Sequence, residues 1–334
     1  MKPFKPTDQD LAFLFPVEYW TSQGKEAPAN AQSLFDVEAP QKPKKASRRG
    51  KVMFEAGTAY WNNLLNAVLA DPVTVRTMIG ALESIGNGRQ LTQVQVEAVL
   101  NLQLKELDKA NFSGRNLSGA DLSKANLRGA KFVGANNKGT NFSGAEFFRQ
   151  KGSLRANFTN ANNEGANFSE ANNTQTCFKD ANNKYADFSN ANNYATSFSE
   201  ADNEGADFSG ANNKEAHFWS ANNEGANFRE SSNKGAWFNY ANNKCANFGN
   251  ANNEGASFQC ANNELAVFGF ANNKGTNFNA ANNKGAIFVG SDIEEANFAS
   301  ANNEKADFGN SYTLRSWSRY TKGWGFSGIS KVRV

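Results

Sequence analysis

The sequence is poor in the residues that carry most enzyme and metal chemistry. It contains one histidine, His217, with three cysteines and three methionines in 334 residues. Because Cys177, Cys245 and Cys260 form no CxxC pair, the sequence predicts neither a disulfide framework nor a zinc site. A single histidine cannot build a histidine-rich metal site. We therefore predict no metal and no cofactor. The expected location is the cytoplasm, or the cytoplasmic face of a membrane reached through an assembly.

Long apolar runs and the common catalytic motifs are also missing. No apolar run reaches 18 residues, so the sequence predicts no membrane-spanning helix. The N-terminus lacks the apolar core and the cleavage site of a signal peptide. The motifs GxxxxGK(S/T), HExxH and GxSxG do not occur. We predict that the protein is not an enzyme.

Charge is unevenly distributed, although the net charge is only +3. Residues 156–310 contain 18 acidic and 9 basic residues, a net charge of −9. Residues 311–334 contain five basic residues and no acidic one, which leaves +7 for residues 1–155. An acidic middle between basic ends is informative about partners. The basic ends favour acidic proteins, and a nucleic-acid partner is not expected.

A ten-residue pattern, such as ANNEGANFSE at 161–170, fills the acidic middle. From Phe158 to Phe308 a phenylalanine occurs at every tenth residue. Midway between them lies an asparagine, from Asn163 to Asn303, with an exception at Ile293. A small residue stands two positions before each of these centres, and usually Asn or Asp stands one before. The repeating unit is therefore five residues long, with alternating centres.

The same unit occurs upstream with ordinary centres. The stretch ANFSGRNLSGADLSKANLRGAKFVG places apolar residues five apart, at Phe112, Leu117, Leu122, Leu127 and Phe132. The segment FFRQKGSLRANF shifts this phase by one, because the spacing from Phe147 to Phe158 is eleven. We predict an irregular turn or a one-residue outward loop near Arg149–Arg155.

A period of five fits neither an α-helix nor a long strand, but it fits a short strand piece and a corner repeated many times. The units ANLRG, ADLSK and ANFSG resemble the pentapeptide-repeat family, and the resemblance covers roughly residues 108–310. It implies a mainly β fold, a right-handed quadrilateral parallel β-helix with four pentapeptides in each coil. About ten coils at roughly 4.8 Å each would give a solenoid on the order of 45–50 Å long.

Residues 20 apart should then stack inside the solenoid. The phenylalanines would form two buried columns, each ring contributing about 1.5–3 kcal/mol. A buried asparagine without a partner costs about 1–3 kcal/mol. We therefore predict two columns of asparagines whose amides bond along the axis. In the alternative, these asparagines sit in wider corners and face water. Outside, Glu and Lys mostly alternate up one column, which predicts weak ion pairs.

Four regions follow from these patterns. Residues 1–52 form an extended basic and aromatic segment, 53–108 a small helical module, 109–310 the β-helix, and 311–334 a basic aromatic tail or cap. Within the helical module we expect a helix in TAYWNNLLNAVLA. A second would begin at Pro72 after Asp71 and end at Gly86 and Gly88. A third, LTQVQVEAVLNLQLKEL, would be capped by Thr92.

The two ends are the predicted partner-binding segments, because Trp, Tyr and Arg dominate interface hot spots. The alternative for residues 1–52 is a solvated linker. The alternative for residues 311–334 is a cap over the last coil. The candidate residues are Phe13, Phe15, Tyr19, Trp20, Lys42, Lys44, Lys45, Arg48, Arg49, Arg315, Trp317, Arg319, Tyr320 and Trp324.

The function that these features favour is a structural linker or scaffold that bridges or spaces subunits of a large assembly. Pentapeptide-repeat proteins are numerous in cyanobacteria, and basic linkers thread the acidic discs of phycobilisome antennae, so an antenna linker is one hypothesis. The resemblance also admits a DNA mimic that binds gyrase, which the acidic middle favours. A secreted effector or a virion attachment component is the third alternative.

Overall fold

A computed structural model describes residues 72–101, 103–148 and 155–311. The chain divides into two compact units, Met1–Lys105 and Glu106–Val334. The predicted helix in TAYWNNLLNAVLA and the predicted cap Asp71 lie outside the described residues.

In the described residues of the first unit, two helices pack against each other, α1 at Pro72–Gly86 and α2 at Gln93–Asn101. Helix α1 begins at Pro72, whose missing N–H needs no partner in the first turn. Beyond Gly86, Gly88 adopts a φ of +62° and its N–H donates to the carbonyl of Ile85 at 3.0 Å. This left-handed residue ends the helix. The predicted start and end of α1 are therefore confirmed.

Helix α2 begins with a capping box. The Thr92 hydroxyl accepts from the N–H of Gln95 at 3.2 Å, and the Gln95 side chain accepts from the N–H of Thr92 at 2.9 Å. The predicted cap is thus confirmed, but the predicted length of the helix is wrong. The helix ends at Asn101, because Gln103 has a φ of +51° and Glu106 already pairs with Asn126 in the repeat.

The second unit is a parallel β-helix of single-residue rungs. Outside one insertion, each rung pairs residues 20 apart in parallel, so that four pentapeptides complete one coil. The rungs form four ladders with ten residues in each. They are ladder 1 from Asn111 to Asn297, ladder 2 from Asn116 to Asn302, ladder 3 from Asp121 to Asp307, and ladder 4 from Glu106 to Asp292.

Each pentapeptide makes the same hydrogen bonds, as the coil around Phe178 illustrates. The N–H of Phe178 donates to Ser197 in the next coil at 2.7 Å, while the N–H of Cys177 donates to Ala156 in the preceding coil at 3.1 Å. The N–H of Ala181 donates back to the carbonyl of Phe178 at 3.1 Å. This last bond closes a turn in which Asp180 has a φ of +57°. One strand position and one tight turn therefore fill the five residues, which explains the period.

The break in the repeat is larger than the sequence suggested. The rungs that span the break join residues 26 apart, such as Lys131 with Asn157. The chain therefore contains six extra residues there, and Phe158 stacks on Phe132 rather than continuing a shifted phase. An antiparallel pairing of Phe148 with Arg155 closes the insertion. The prediction of a one-residue loop is wrong. It divided the spacing of eleven from Phe147 to Phe158 into two pentapeptides and one extra residue, whereas the structure has one pentapeptide and six extra residues there.

Candidate interaction surfaces

Two columns of phenylalanine occupy the centre of the β-helix. Within a column the rings stack, as Phe218 does on Phe238 with centroids 4.6 Å apart and planes 1° apart. Between the columns the rings meet edge to face, as Phe228 does with Phe238 at 5.4 Å and 89°. Both arrangements suit the ring quadrupole. The rings that belong to these two columns are buried from Phe112 to Phe288, which confirms the predicted columns.

The asparagine centres form two further internal columns, and their amides bond along the axis. On ladder 2 the Nδ2 of Asn203 donates to the Oδ1 of Asn223 at 2.9 Å, and Asn223 donates onward to Asn243 at 2.9 Å. This column is continuous from Asn137 to Asn303. The predicted ladder is confirmed, and the alternative of asparagines facing water is wrong.

The second asparagine column, on ladder 4, is shorter. It runs from Asn173 to Asn273 and stops where Ile293 replaces asparagine. Its ends are unsatisfied, because the Oδ1 of Asn173 and the Nδ2 of Asn273 are buried without a hydrogen-bond partner. The described coils are therefore filled with side chains, and any site for another molecule must lie on the outside of the β-helix or in the segments that flank it.

Asparagines just before each centre form an outer ladder that the sequence analysis did not assign. The Nδ2 of Asn182 donates to Asn162 in the preceding coil at 2.9 Å, so this ladder points opposite to the inner one. At the position just before each centre, the Oδ1 of Asn or Asp also accepts from the backbone N–H two residues later, as Asp187 accepts from the N–H of Ser189 at 2.8 Å. These residues therefore stabilise the turns as well as the stacking of coils.

Ion pairs lie on the outer surface next to ladder 2, as the alternating charges predicted. Lys184 contacts Glu204 at 2.8 Å and Asp202 at 3.2 Å. The hydrogen bonds to Glu204 and then to Asp202 raise the pKa of Lys184 above its usual range. Lys284 contacts Glu304 at 3.4 Å. These groups are well exposed, so the pairs add little stability.

Two apolar clusters interrupt this polar surface. The first, on and beside ladder 1, consists of His217, Trp219, Trp237 and Tyr240. His217 stacks on Trp237 at 5.0 Å, and Trp219 meets Tyr240 edge to face at 6.2 Å. The second, which we call the ladder-3 patch, consists of Leu265, Val267, Phe270, Ile287 and Val289. The sequence signal for both was available, since large apolar residues replace the polar or glycine residues that other repeats have at outward positions.

None of the predicted partner-binding residues lies in the part of the chain that the structure describes. This holds for Phe13, Phe15, Tyr19, Trp20, Lys42, Lys44, Lys45, Arg48, Arg49, Arg315, Trp317, Arg319, Tyr320 and Trp324. Among the described residues no group of His, Cys, Asp and Glu could hold a metal ion. No helix in residues 72–101 is long and apolar enough to cross a membrane.

Comparison with known families and solved structures finds the following similarities. The family model for pentapeptide repeats matches residues 106–144 in eight copies. The structure of HetL, a pentapeptide repeat protein involved in heterocyst differentiation regulation in the cyanobacterium Nostoc sp., is 24% identical, with 61% of this chain and 89% of that chain covered and a TM-score of 0.43.

Two other solved structures are similar over parts of the chain. Trypsin-treated QnrB1, a plasmid-mediated fluoroquinolone resistance protein, is 18% identical, with 57% of this chain and 88% of that chain covered and a TM-score of 0.30. A pentapeptide repeat protein from the thylakoid lumen of Arabidopsis thaliana is 25% identical, covers 38% of this chain and 66% of its own, and has a TM-score of 0.16. No curated protein matches the sequence.

Proposed function

This chain is a pentapeptide-repeat protein, and from that premise we propose that it is a non-enzymatic scaffold in the cytoplasm, which bridges or spaces the subunits of a large protein assembly. The observation that carries the proposal is the filled interior of the β-helix. Phenylalanine rings and hydrogen-bonded amides occupy the centre of the described coils, so the outer surface and the flanking segments meet other molecules. We take the coil to be a right-handed quadrilateral, with one pentapeptide on each side, as the family resemblance implies.

The repeat suits a spacer because its dimensions are fixed. Stacked rings recur at 4.4–5.1 Å along one column, and successive coils repeat the same backbone hydrogen bonds. Adding or removing a coil would change the length by one such step without altering the cross-section. A solenoid of this kind holds bound subunits at a set separation.

We assign the contacts with partners first to residues 1–52 and 311–334, which are basic and aromatic. Their charge favours acidic partners through complementarity. One such assembly is the phycobilisome, in which basic linkers meet acidic biliprotein discs, and an antenna linker is the specific form of the proposal. The charge distribution of this chain supports it, with basic ends on either side of a segment of net charge −9.

The test is fractionation of native complexes, followed by affinity capture with the full chain and with chains that lack 1–52 or 311–334. A scaffold should co-migrate with a large complex, and one truncation should lose a defined set of acidic proteins. Capture that weakens as salt rises would support the charge argument. Recovery of the protein only as a free monomer would contradict the proposal.

A gyrase-binding DNA mimic is the second candidate, because residues 156–310 carry a net charge of −9. The lysines weaken this reading, since Lys184, Lys234 and Lys284 each pair with a glutamate and interrupt the acidic surface. Supercoiling by gyrase in the presence of the purified protein distinguishes the two. Inhibition or protection at micromolar concentrations would favour the mimic, and no effect would leave the scaffold.

A further inference from the structure

The aromatic cluster of His217, Trp219, Trp237 and Tyr240, which we call the ladder-1 cluster, exposes large rings to solvent. Trp219 is 43% exposed, Trp237 54% and Tyr240 57%. All four residues occupy outward positions of their pentapeptides, so none of them contributes to the internal columns. The β-helix therefore does not require these rings, and contiguous exposed aromatic surface marks a place where another molecule docks.

The indole of Trp237 has one covered face and one open face. Its ring stacks on His217 in the preceding coil, with centroids 5.0 Å and planes 13° apart. The rung residue in the next coil is Ser257, whose side chain is much shorter than an indole. No ring of the described coils lies on the face of Trp237 that is directed toward Ser257. The outer part of that face is therefore free to stack with a ligand.

Trp219 and Tyr240 add two exposed rings that are inclined to each other. Trp219 directly follows one centre, and Tyr240 follows the centre one coil later by two residues. Their centroids are 6.2 Å apart and their planes make an angle of 72°. A ligand that stacks on both rings must therefore bend between them.

The charged groups beside the cluster are already paired. Lys179 contacts Asp180 at 3.5 Å and Glu200 at 3.3 Å. At the preceding corner, the Tyr194 hydroxyl donates to Glu215 at 2.8 Å. The rings therefore lie beside ion pairs and a hydrogen-bonded carboxylate, and this arrangement favours an uncharged ligand over a charged one.

Hydroxyl and amide groups make up the rest of the surroundings. The rungs of ladder 1 from Asn157 to Asn297 include no Asp, Glu, Lys or Arg. Ser220, Ser257 and Gln259 lie next to the rings in the sequence or in the next coil. The Oδ1 of Asn239, between Trp237 and Tyr240, is buried without a hydrogen-bond partner. A ligand hydroxyl is the kind of donor that this oxygen lacks.

The backbone under the cluster argues against an extended peptide as the ligand. The N–H of Trp237 donates to Ala216 at 2.9 Å, and its carbonyl accepts from Phe218 at 2.7 Å. Both groups are thus used between coils, and this rung offers no sheet edge to which a strand could be added. The net charge of −9 on residues 156–310 disfavours nucleic acid.

We propose that the ladder-1 cluster binds a neutral α-1,4-linked glucan. The C–H face of a sugar ring is apolar and stacks on an aromatic ring, while the sugar hydroxyls bond amides and hydroxyls at the edge of the contact. We place one sugar on the open face of Trp237 and others on Trp219 and Tyr240. An α-1,4 linkage curves the chain, as the inclined rings require, whereas a β-1,4 linkage gives a flat ribbon.

Isothermal titration calorimetry of the purified full chain with maltohexaose tests the proposal. We expect saturable binding, with cellohexaose, its β-1,4-linked counterpart, binding at least tenfold more weakly. Absence of maltohexaose binding at millimolar concentrations, or equal binding of the two sugars, would overturn the proposal. Sedimentation velocity without sugar covers a second copy of the chain as the occupant. A dimer that disappears on substitution of the cluster would also overturn it.

Substitutions that the repeat already contains locate the binding. The triple variant Trp219→Ser, Trp237→Asn and Tyr240→Gly introduces residues that occur at the corresponding positions of other coils, so the β-helix should fold unchanged. We expect its affinity for maltohexaose to fall at least tenfold, with an unaltered urea midpoint as the check on folding. The matched control, Phe270→Gly with Ile287→Asn, removes apolar surface from the ladder-3 patch and should bind as the natural chain does. Unchanged affinity in the triple variant would refute the assignment to this cluster.

The proposal is separate from the scaffold function. The titrations use the purified protein and a sugar, so failure of the affinity capture described above would leave their result unchanged. Failure of the titrations would leave the scaffold proposal in place, because that proposal assigns partners to residues 1–52 and 311–334.

Discussion

The internal asparagine column on ladder 4 allows two substitutions of identical chemistry to be compared. We predict that Asn233→Leu destabilises the protein, whereas Asn273→Leu is neutral or stabilising. Both side chains are fully buried. Leucine fits such positions, because Leu117 and Leu127 occupy the equivalent centres in the first coils. The two substitutions differ mainly in how many hydrogen bonds they leave incomplete.

Asn233 lies in the middle of its column. It accepts from Asn213 at 3.0 Å and donates to Asn253 at 2.9 Å. Leucine would leave a buried donor on Asn213 and a buried acceptor on Asn253, at about 1–3 kcal/mol each. Burying the leucine side chain returns about 1.5–3 kcal/mol. The expected net loss in the free energy of unfolding is about 2 kcal/mol.

Asn273 ends the column, and its Nδ2 is already without a partner because Ile293 follows. Leucine there removes one unsatisfied donor and creates another on Asn253, whose bond to Asn273 is 2.9 Å long. The number of unsatisfied groups is unchanged, and only one bond of about 1 kcal/mol is lost. The gain from leucine burial should balance or exceed this loss. The difference between the two variants is therefore about 3 kcal/mol.

Urea unfolding followed by far-ultraviolet circular dichroism measures this difference, provided that the slopes of the two variants agree. Hydrogen exchange of the amides around each site checks that the perturbation is local. Equal losses in the two variants, within about 0.5 kcal/mol, would show that the ladder bonds contribute nothing and would refute the reasoning.

Three further predictions test the turns, the surface charges and the helices. Because folding raises the pKa of Lys184 above the usual lysine value of 10.5, the ion pairs of Lys184 stabilise the protein fully below that pH, and this stabilisation should be lost progressively as the pH rises above about 10.5. The Lys184→Met variant should therefore show a smaller drop in urea midpoint over that pH range. Gly165→Ala, at a φ of +62° in open space, should cost about 1 kcal/mol by urea unfolding, and Gly205→Ala should cost more because its Cβ would meet the Tyr185 ring at 2.7 Å. Thr92→Ala should cost about 1 kcal/mol and speed amide exchange in α2, while Thr92→Ser should not.

The period of five predicted much of the β-helix directly. Every pentapeptide offers one inward centre that it can bury only against neighbouring coils, and the family resemblance, which implies four pentapeptides to a coil, led to the expectation that residues 20 apart stack. The inward direction of the asparagines also followed, since a buried amide is tolerable when the next coil supplies its partner. Local signals were sufficient for the helix ends as well. Thr92 with Gln95 forms a capping box from residues three apart.

Other features depended on which coils lie together. Whether the spacing of eleven from Phe147 to Phe158 means one extra residue or six depends on which residue Phe158 stacks on, and only its stacking on Phe132 decides that. The ladder-3 patch likewise combines Leu265, which precedes one rung, with residues one coil later. Sequence periodicity determined the five-residue unit and its inward centre, because these are set by local turns and by burial. The tertiary structure decided the neighbours across coils, because contacts between residues 20 or 26 apart depend on every insertion between them.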